Sequence, residues 1–206
     1  MGKNTKADTC NKCGELIYYG GENPCCNEPT EEEIQKHLME LEDKRKAAEE
    51  FIMDVFYARA YENAASCPVP FEEVLDVVQH DLDFHKAIWY ASTEILPHLE
   101  IQVVIDGKNK CYVTTGSSGY VEFGLKPPIG MNLPIRCWIH THPFGLAYFS
   151  GTDIRTVSIW ESRMETAYVL GGDNHYGFWD RNNPNELEIY EDNVQVRTQT
   201  WNGDEE

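Results

Sequence analysis

Two histidines, a serine and an aspartate lie close together in CWIHTHPFGLAYFSGTD, residues 137–153. His140 and His142 are one residue apart and follow an apolar run containing Ile135, Trp138 and Ile139. Alternate side chains of a β-strand share a face, so the two imidazoles would point the same way. Pro143 ends the extended run, and a turn containing Gly145 leads on to Ser150 and Asp153. Two imidazoles with a carboxylate brought back beside them make a three-ligand site. Three nitrogen and oxygen ligands plus an open fourth position is the pattern of catalytic zinc, whereas structural zinc is closed by four protein ligands.

The order His-x-His-x(7)-Ser-x-x-Asp, followed by a helical stretch, resembles the JAMM motif of the MPN+ metallopeptidases. The tryptophan in the approach, the His-Thr-His-Pro run and the Ser-Gly-Thr-Asp ending all fit that motif. A lone His-x-His would read as two polar residues of a half-buried strand; Pro143, Ser150 and Asp153 at the family's spacing favour the metal. The resemblance implies an α/β (α+β) domain over residues 67–200, an MPN-like, cytidine-deaminase-type mixed sheet flanked by helices. It also implies zinc held by His140, His142 and Asp153, and a substrate that is a protein or peptide, ubiquitin-like conjugates included. The expected activity is hydrolysis of a peptide or isopeptide bond, deubiquitinase-like or processing a ubiquitin-like conjugate. Its alternatives are a phage or prokaryotic JAMM peptidase cutting an ordinary peptide bond, and a non-catalytic zinc-ribbon or MPN interaction scaffold. A zinc deaminase would want His-x-Glu with Pro-Cys-x-x-Cys, and here histidine stands in the glutamate's place.

Zinc would lower the pKa of water towards neutrality, and hydrolysis then needs a group to take the proton and return it to the leaving amine. The family places a glutamate there, on a strand upstream of the histidines. Glu100, which opens the β-branched run EIQVVI seven residues before Gly107, is the expected base. Glu94 and Glu122 are the other candidates, and Val103 stands where many family members have glycine. Ser150 would donate to the developing oxyanion, and as a helix cap it has a second role open to it.

The elements that must position these groups are legible in outline. Glu100 to Ile105 and Cys111 to Thr114 read as strands around a turn at Asp106–Asn109, and Tyr120 to Leu125 as a third strand. Asp153 is expected to open a helix reaching about Ser162. Thr166 to Leu170 and Tyr176 to Trp179 read as strands across a Gly-Gly-Asp-Asn turn, and Leu187 to Val196 as one further arm. Upstream, Val74, Leu75, Val78 and Leu82 share one helical face, while residues 84–96 fit either more helix or a strand and turn. His80, His85 and His98 are scattered and suggest no shared metal.

Residues 1–29 hold Cys10, Cys13, Cys25 and Cys26. Cys10-Asn-Lys-Cys13-Gly resembles half of a zinc knuckle, but the adjacent pair Cys25-Cys26 is irregular. The expectation is a second, structural zinc on the four thiolates, with free thiols or a redox pair as the alternative. Residues 30–66 read as one long helix. Thr30 and Glu33 form a capping box, and Ile34, Leu38, Leu41, Arg45, Ala48, Ile52 and Val55 form a heptad seam. That seam packs on its own domain or makes a dimer through residues 31–65. Cys67-Pro-Val-Pro70 ends the helix.

Composition sets the outer limits. The formal charge is −18, with 35 acidic against 17 basic residues, so a phosphate backbone is a poor partner and no nucleic acid is expected. The start carries no secretory signal and no stretch approaches a membrane span, which reads as a cytoplasmic protein with no membrane partner. Seven cysteines argue against a closed disulfide framework and for a reducing compartment. Residues 201–206 are an acidic tail.

Overall fold

A computed structural model describes residues 7–9, 16–18, 30–66, 71–116 and 130–200. The four N-terminal cysteines, the expected strand from Tyr120 to Leu125 with Glu122, and the acidic tail lie outside the described residues. The chain divides into two compact units, Met1–Glu42 and Asp43–Glu206.

In the first unit, β1 (Ala7–Thr9) pairs antiparallel with β2 (Leu16–Tyr18), Ala7 lying opposite Tyr18. Helix α1 (Glu31–Ser66) begins here and runs on into the second unit. The expected capping box forms: the Thr30 N–H donates to Glu33 Oε2 (2.8 Å) and the Glu33 N–H to Thr30 Oγ1 (3.2 Å). Glu31, Glu32 and Glu33 put negative charge at the positive end of the helix dipole.

Within the second unit, α1 buries Ala48, Ile52, Phe56 and Ala60 completely. This is a four-residue spacing, and it departs from the expected heptad seam after Ile52. Phe56 replaces Val55 because its ring packs on Phe84 of α3 (Leu82–Tyr90), with centroids 5.3 Å apart. The seam's first members, Ile34 and Leu38, are exposed at 43% and 50%. Helix α2 (Phe71–Val78) is separate from α3, and a π-helical turn (Ala91–Ile95) follows α3. Asp81 makes the break by capping α3, accepting from the Asp83 N–H (2.8 Å) and the Phe84 N–H (3.2 Å). Arg59 of α1 reaches the same carboxylate at 2.8 Å and ties the two helices together.

The centre is a seven-stranded mixed sheet in the order β4-β3-β5-β6-β7-β8-β9. Its strands are β3 (Ile101–Asp106), β4 (Cys111–Thr115), β5 (Ile135–Thr141), β6 (Met164–Gly172), β7 (His175–Asp180), β8 (Glu186–Glu191) and β9 (Val194–Thr200). Only β5 and β6 are parallel, and α4 (Gly151–Trp160) crosses between them. The α+β expectation therefore holds at that level. Register assigns the faces. Trp138 lies opposite Ala167, and Ala167 opposite Trp179. These pack with Val157 and Trp160 of α4 in one core, joined by Val104 and Leu187. On the other face Tyr168 meets His85 of α3, with ring centroids 4.5 Å apart. The sheet thus carries helices on both faces.

Two expectations are corrected. The arm expected over Leu187 to Val196 is a hairpin of two strands, because Asp192 and Asn193 both take positive φ (48° and 63°) and turn the chain between β8 and β9. Helix α4 starts at Gly151 rather than Asp153, since Ser150 caps it and Asp153 takes its third position. No helix among the described residues is long and apolar enough to cross a membrane.

Candidate metal centre

The end of β5 is built from both sides by sheet register. Gln102 of β3 lies opposite His140. Two residues further out, beyond the last paired residues, the same register carries Glu100 towards His142, and the two interact through their charges. The ladder is held to its end by side chain and backbone: the Ile101 N–H donates to Thr141 Oγ1 (2.9 Å) and the His142 N–H to Leu170 O (2.8 Å). Thr141 thus points away from the histidines and is packed, as its strand position requires.

His140 is 1% exposed and lies between rings. The Trp138 indole stacks on it at 4.4 Å and 17°, and Phe149 meets it edge-on at 6.5 Å. Trp138 is itself fixed through Nε1–H, which donates to Gln102 Oε1 (2.9 Å). His142 is set by its outer nitrogen, which lies 3.0 Å from the Leu146 carbonyl. A carbonyl only accepts, so Nδ1 carries the proton and Nε2 keeps its lone pair for the site. This is the arrangement metal-ligating histidines use to fix tautomer and ring plane.

The third group arrives on the loop 143–149. Gly145 takes φ +83° and its N–H donates to His142 O (3.0 Å), turning the chain back after Pro143. Ala147 and Phe149 point inward and are 3% and 2% exposed. At Gly171 of β6 a Cβ would lie 2.4 Å from Ala147 N and 2.7 Å from Leu146 C, so only glycine admits the loop at this closeness. The loop ends at the α4 capping box. The Ser150 N–H donates to Asp153 Oδ2 (2.7 Å) and the Asp153 N–H to Ser150 Oγ (3.3 Å). Ser150 therefore does cap the helix, and because its hydroxyl accepts in that bond its proton is left to donate elsewhere.

His140 Nε2 is 3.1 Å from Asp153 Oδ1, and His142 Nε2 is 3.4 Å from Asp153 Oδ2. One donor atom from each of the three residues falls within 4.8 Å of the others. A tetrahedral site with bonds of about 2.0–2.1 Å has ligand–ligand edges of roughly 3.3 Å, which these separations bracket. Nδ1 of His140 makes no hydrogen bond among the described residues although the ring is buried, and Nε2 faces the Asp153 carboxylate at 3.1 Å. A cation seated between Nε2 and that carboxylate would take both as ligands. The donor set of two nitrogens and one oxygen therefore fits a divalent metal such as zinc.

Electrostatics agree with the geometry. Burial works against ionisation of Asp153, but His140, His142 and Ser150 outweigh it and hold the carboxyl far below its usual range. Burial would lower His142, yet the hydrogen bond and charge of Asp153, with the charge of Glu100, raise it. Glu100 is 5% exposed, and burial pushes its carboxyl up to about 7; the charge on His142 opposes the shift and that on Asp153 adds to it. A carboxyl titrating near neutrality beside candidate ligands suits a proton shuttle.

Of the two candidate bases among the described residues, Glu100 is the one near the histidines. Glu94 is exposed on the π turn, and Glu122 lies outside the described residues, as do Cys10, Cys13, Cys25 and Cys26. His80 and His85 sit on the opposite face of the sheet, bonded to Tyr168 Oη (2.7 Å) and Gln79 O (2.8 Å). His98 belongs to this end of the sheet: its ring stacks on Phe144 at 6.4 Å and 11°. Sequence reasoning set His98 aside. The sign it missed is nearness to Glu100, two residues on. Searches against protein-family models, curated proteins and solved structures found nothing that matches this chain.

Proposed function

We propose that this chain is a zinc-dependent hydrolase of peptide or isopeptide bonds, of the JAMM type and MPN-like fold that its motif resembles. The observation that carries this reading is the convergence of His140, His142, Asp153 and Glu100 at one end of the sheet, from β5, α4 and the start of β3. Zinc bound there would act as a Lewis acid on water and on the scissile carbonyl. The protein's own groups do the rest. His142 is oriented by Leu146 O and Asp153 by the Ser150 N–H. Glu100 takes the proton from the attacking water and passes it to the leaving amine. Ser150 keeps a hydroxyl proton for the oxyanion of the tetrahedral intermediate. The four N-terminal cysteines would hold a second, structural zinc.

The test is hydrolysis of linear and lysine-branched peptides by zinc-replete protein, with Glu100→Gln and His142→Ala alongside. Loss of activity in both variants, with zinc retained in Glu100→Gln, supports the assignment. Full activity in either variant removes it.

A further inference from the structure

Three large apolar side chains stand exposed on the loop that carries the candidate site: Phe144 at 63%, Leu146 at 56% and Tyr148 at 44%. They alternate with the buried Ala147 and Phe149, so the loop has an inner and an outer face. The outer face cannot relieve its exposure by folding inward. Gly171 seats the loop backbone with no spare room, and Leu146 O is committed to His142. Both ends of this face adjoin the chemistry. The Tyr148 ring meets His142 edge-on at 5.4 Å, and Phe144 stacks on His98, two residues before Glu100.

We propose that Phe144, Leu146 and Tyr148 form a rim that receives a large apolar side chain of an extended peptide beside the scissile amide; this rests on the hydrolase reading above. Continuity with the site argues for substrate as the occupant. A second copy is the poorer one, since each chain carries −18 and two such surfaces repel. A rigid, preordered apolar surface gains affinity at little ordering cost. Discrimination between a large apolar residue and a small polar one at such a surface is about tenfold or more.

The experiment uses the full zinc-replete chain and a pool of linear and lysine-branched synthetic peptides of balanced composition, with cut sites read by mass spectrometry. The wild type is expected to favour Leu or Phe over Ser or Asp beside the cut by about tenfold in kcat/KM. Phe144→Ser, which touches His98 and none of the candidate ligands, is expected to weaken the preference severalfold through KM, with kcat and zinc content little changed. Competition by N-acetylphenylalaninamide, but not by N-acetylserinamide, gives a check on the wild type that needs no variant. Cleavage without side-chain preference, or a preference that Phe144→Ser leaves intact, overturns the rim and leaves the hydrolase standing. No cleavage of any peptide by protein of confirmed zinc content overturns both.

Discussion

Replacing Glu100 by glutamine should make the metal-free protein more stable and the zinc-loaded protein inactive. Burial holds the Glu100 carboxyl at about 7 against an ordinary 4.5. In the folded state it therefore keeps a proton that the unfolded chain releases. Below pH 4.5 both states are protonated and Glu100 costs nothing. Stability falls as pH rises through the window from 4.5 to 7, and above it the full cost is present. At 1.36 kcal/mol per pH unit that cost is about 3 kcal/mol. For a domain of this size it corresponds to roughly 6–12 °C in Tm. The assay is thermal unfolding of chelator-treated wild type and Glu100→Gln across pH 4 to 9. Against its burial, Asp153 and Glu100 raise His142 as well, so the variant also loses Glu100's charge on His142, and the growth of the difference with pH is the quantity to read. The variant should gain little at pH 4 and several degrees at pH 8. With zinc restored, its hydrolysis should fall by about 10²–10⁴, the usual contribution of a positioned acid–base group. A Tm difference that does not grow with pH would refute the burial argument, and an active variant would refute the role.

Other perturbations probe the scaffold around the site. Gly171→Ala places a Cβ 2.4 Å from Ala147 N, so it should shift the loop, lengthen the His142–Leu146 bond and weaken zinc affinity at least tenfold by titration with a chelating indicator. Asp106→Ala removes a buried carboxylate that accepts from Lys108 N, Lys110 N and both Asn132 nitrogens at 2.8–3.0 Å. It should cost about 2–4 kcal/mol in urea unfolding. Burial raises that carboxyl, but the bonds from Asn132, Lys110 and Lys108 prevail and lower it. Its stabilisation is therefore present above its ordinary pKa and lost as pH falls below it. Native protein should not be alkylated by iodoacetamide at Cys111 or Cys137, because burial raises both thiols, Cys137 to about 12; peptide mapping reads this directly.

The site was legible where local chemistry and strand period determine it. His140 and His142 were placed on one face by alternation, and Asp153 by its position after a Gly-containing turn. Glu100 was legible through the resemblance, as a glutamate opening a β-branched run seven residues before Gly107. Its nearness to His142 depends on the β3–β5 register, which no local pattern encodes. The seat at Gly171 and the approach of Phe149 to His140 depend on how the loop 143–149 folds back onto the sheet, which no local pattern encodes either. Helix α4 begins two residues earlier than expected, at Gly151, because Ser150 takes the capping role that its sequence position left open beside the oxyanion role. The α1 stripe follows the expected seam only from Leu41 to Ile52: Ile34 and Leu38 are exposed, and Phe56 takes over from Val55 by packing on Phe84, a tertiary contact that outweighs a periodic seam.

The most direct test of the metal centre is zinc content by elemental analysis of purified wild type, His142→Ala and Cys13→Ala, each checked for folding by circular dichroism. The account predicts that folded His142→Ala loses one zinc relative to wild type, and that Cys13→Ala keeps that zinc. A folded His142→Ala protein that retains all of the wild-type zinc would contradict the assignment of His140, His142 and Asp153 as its ligands.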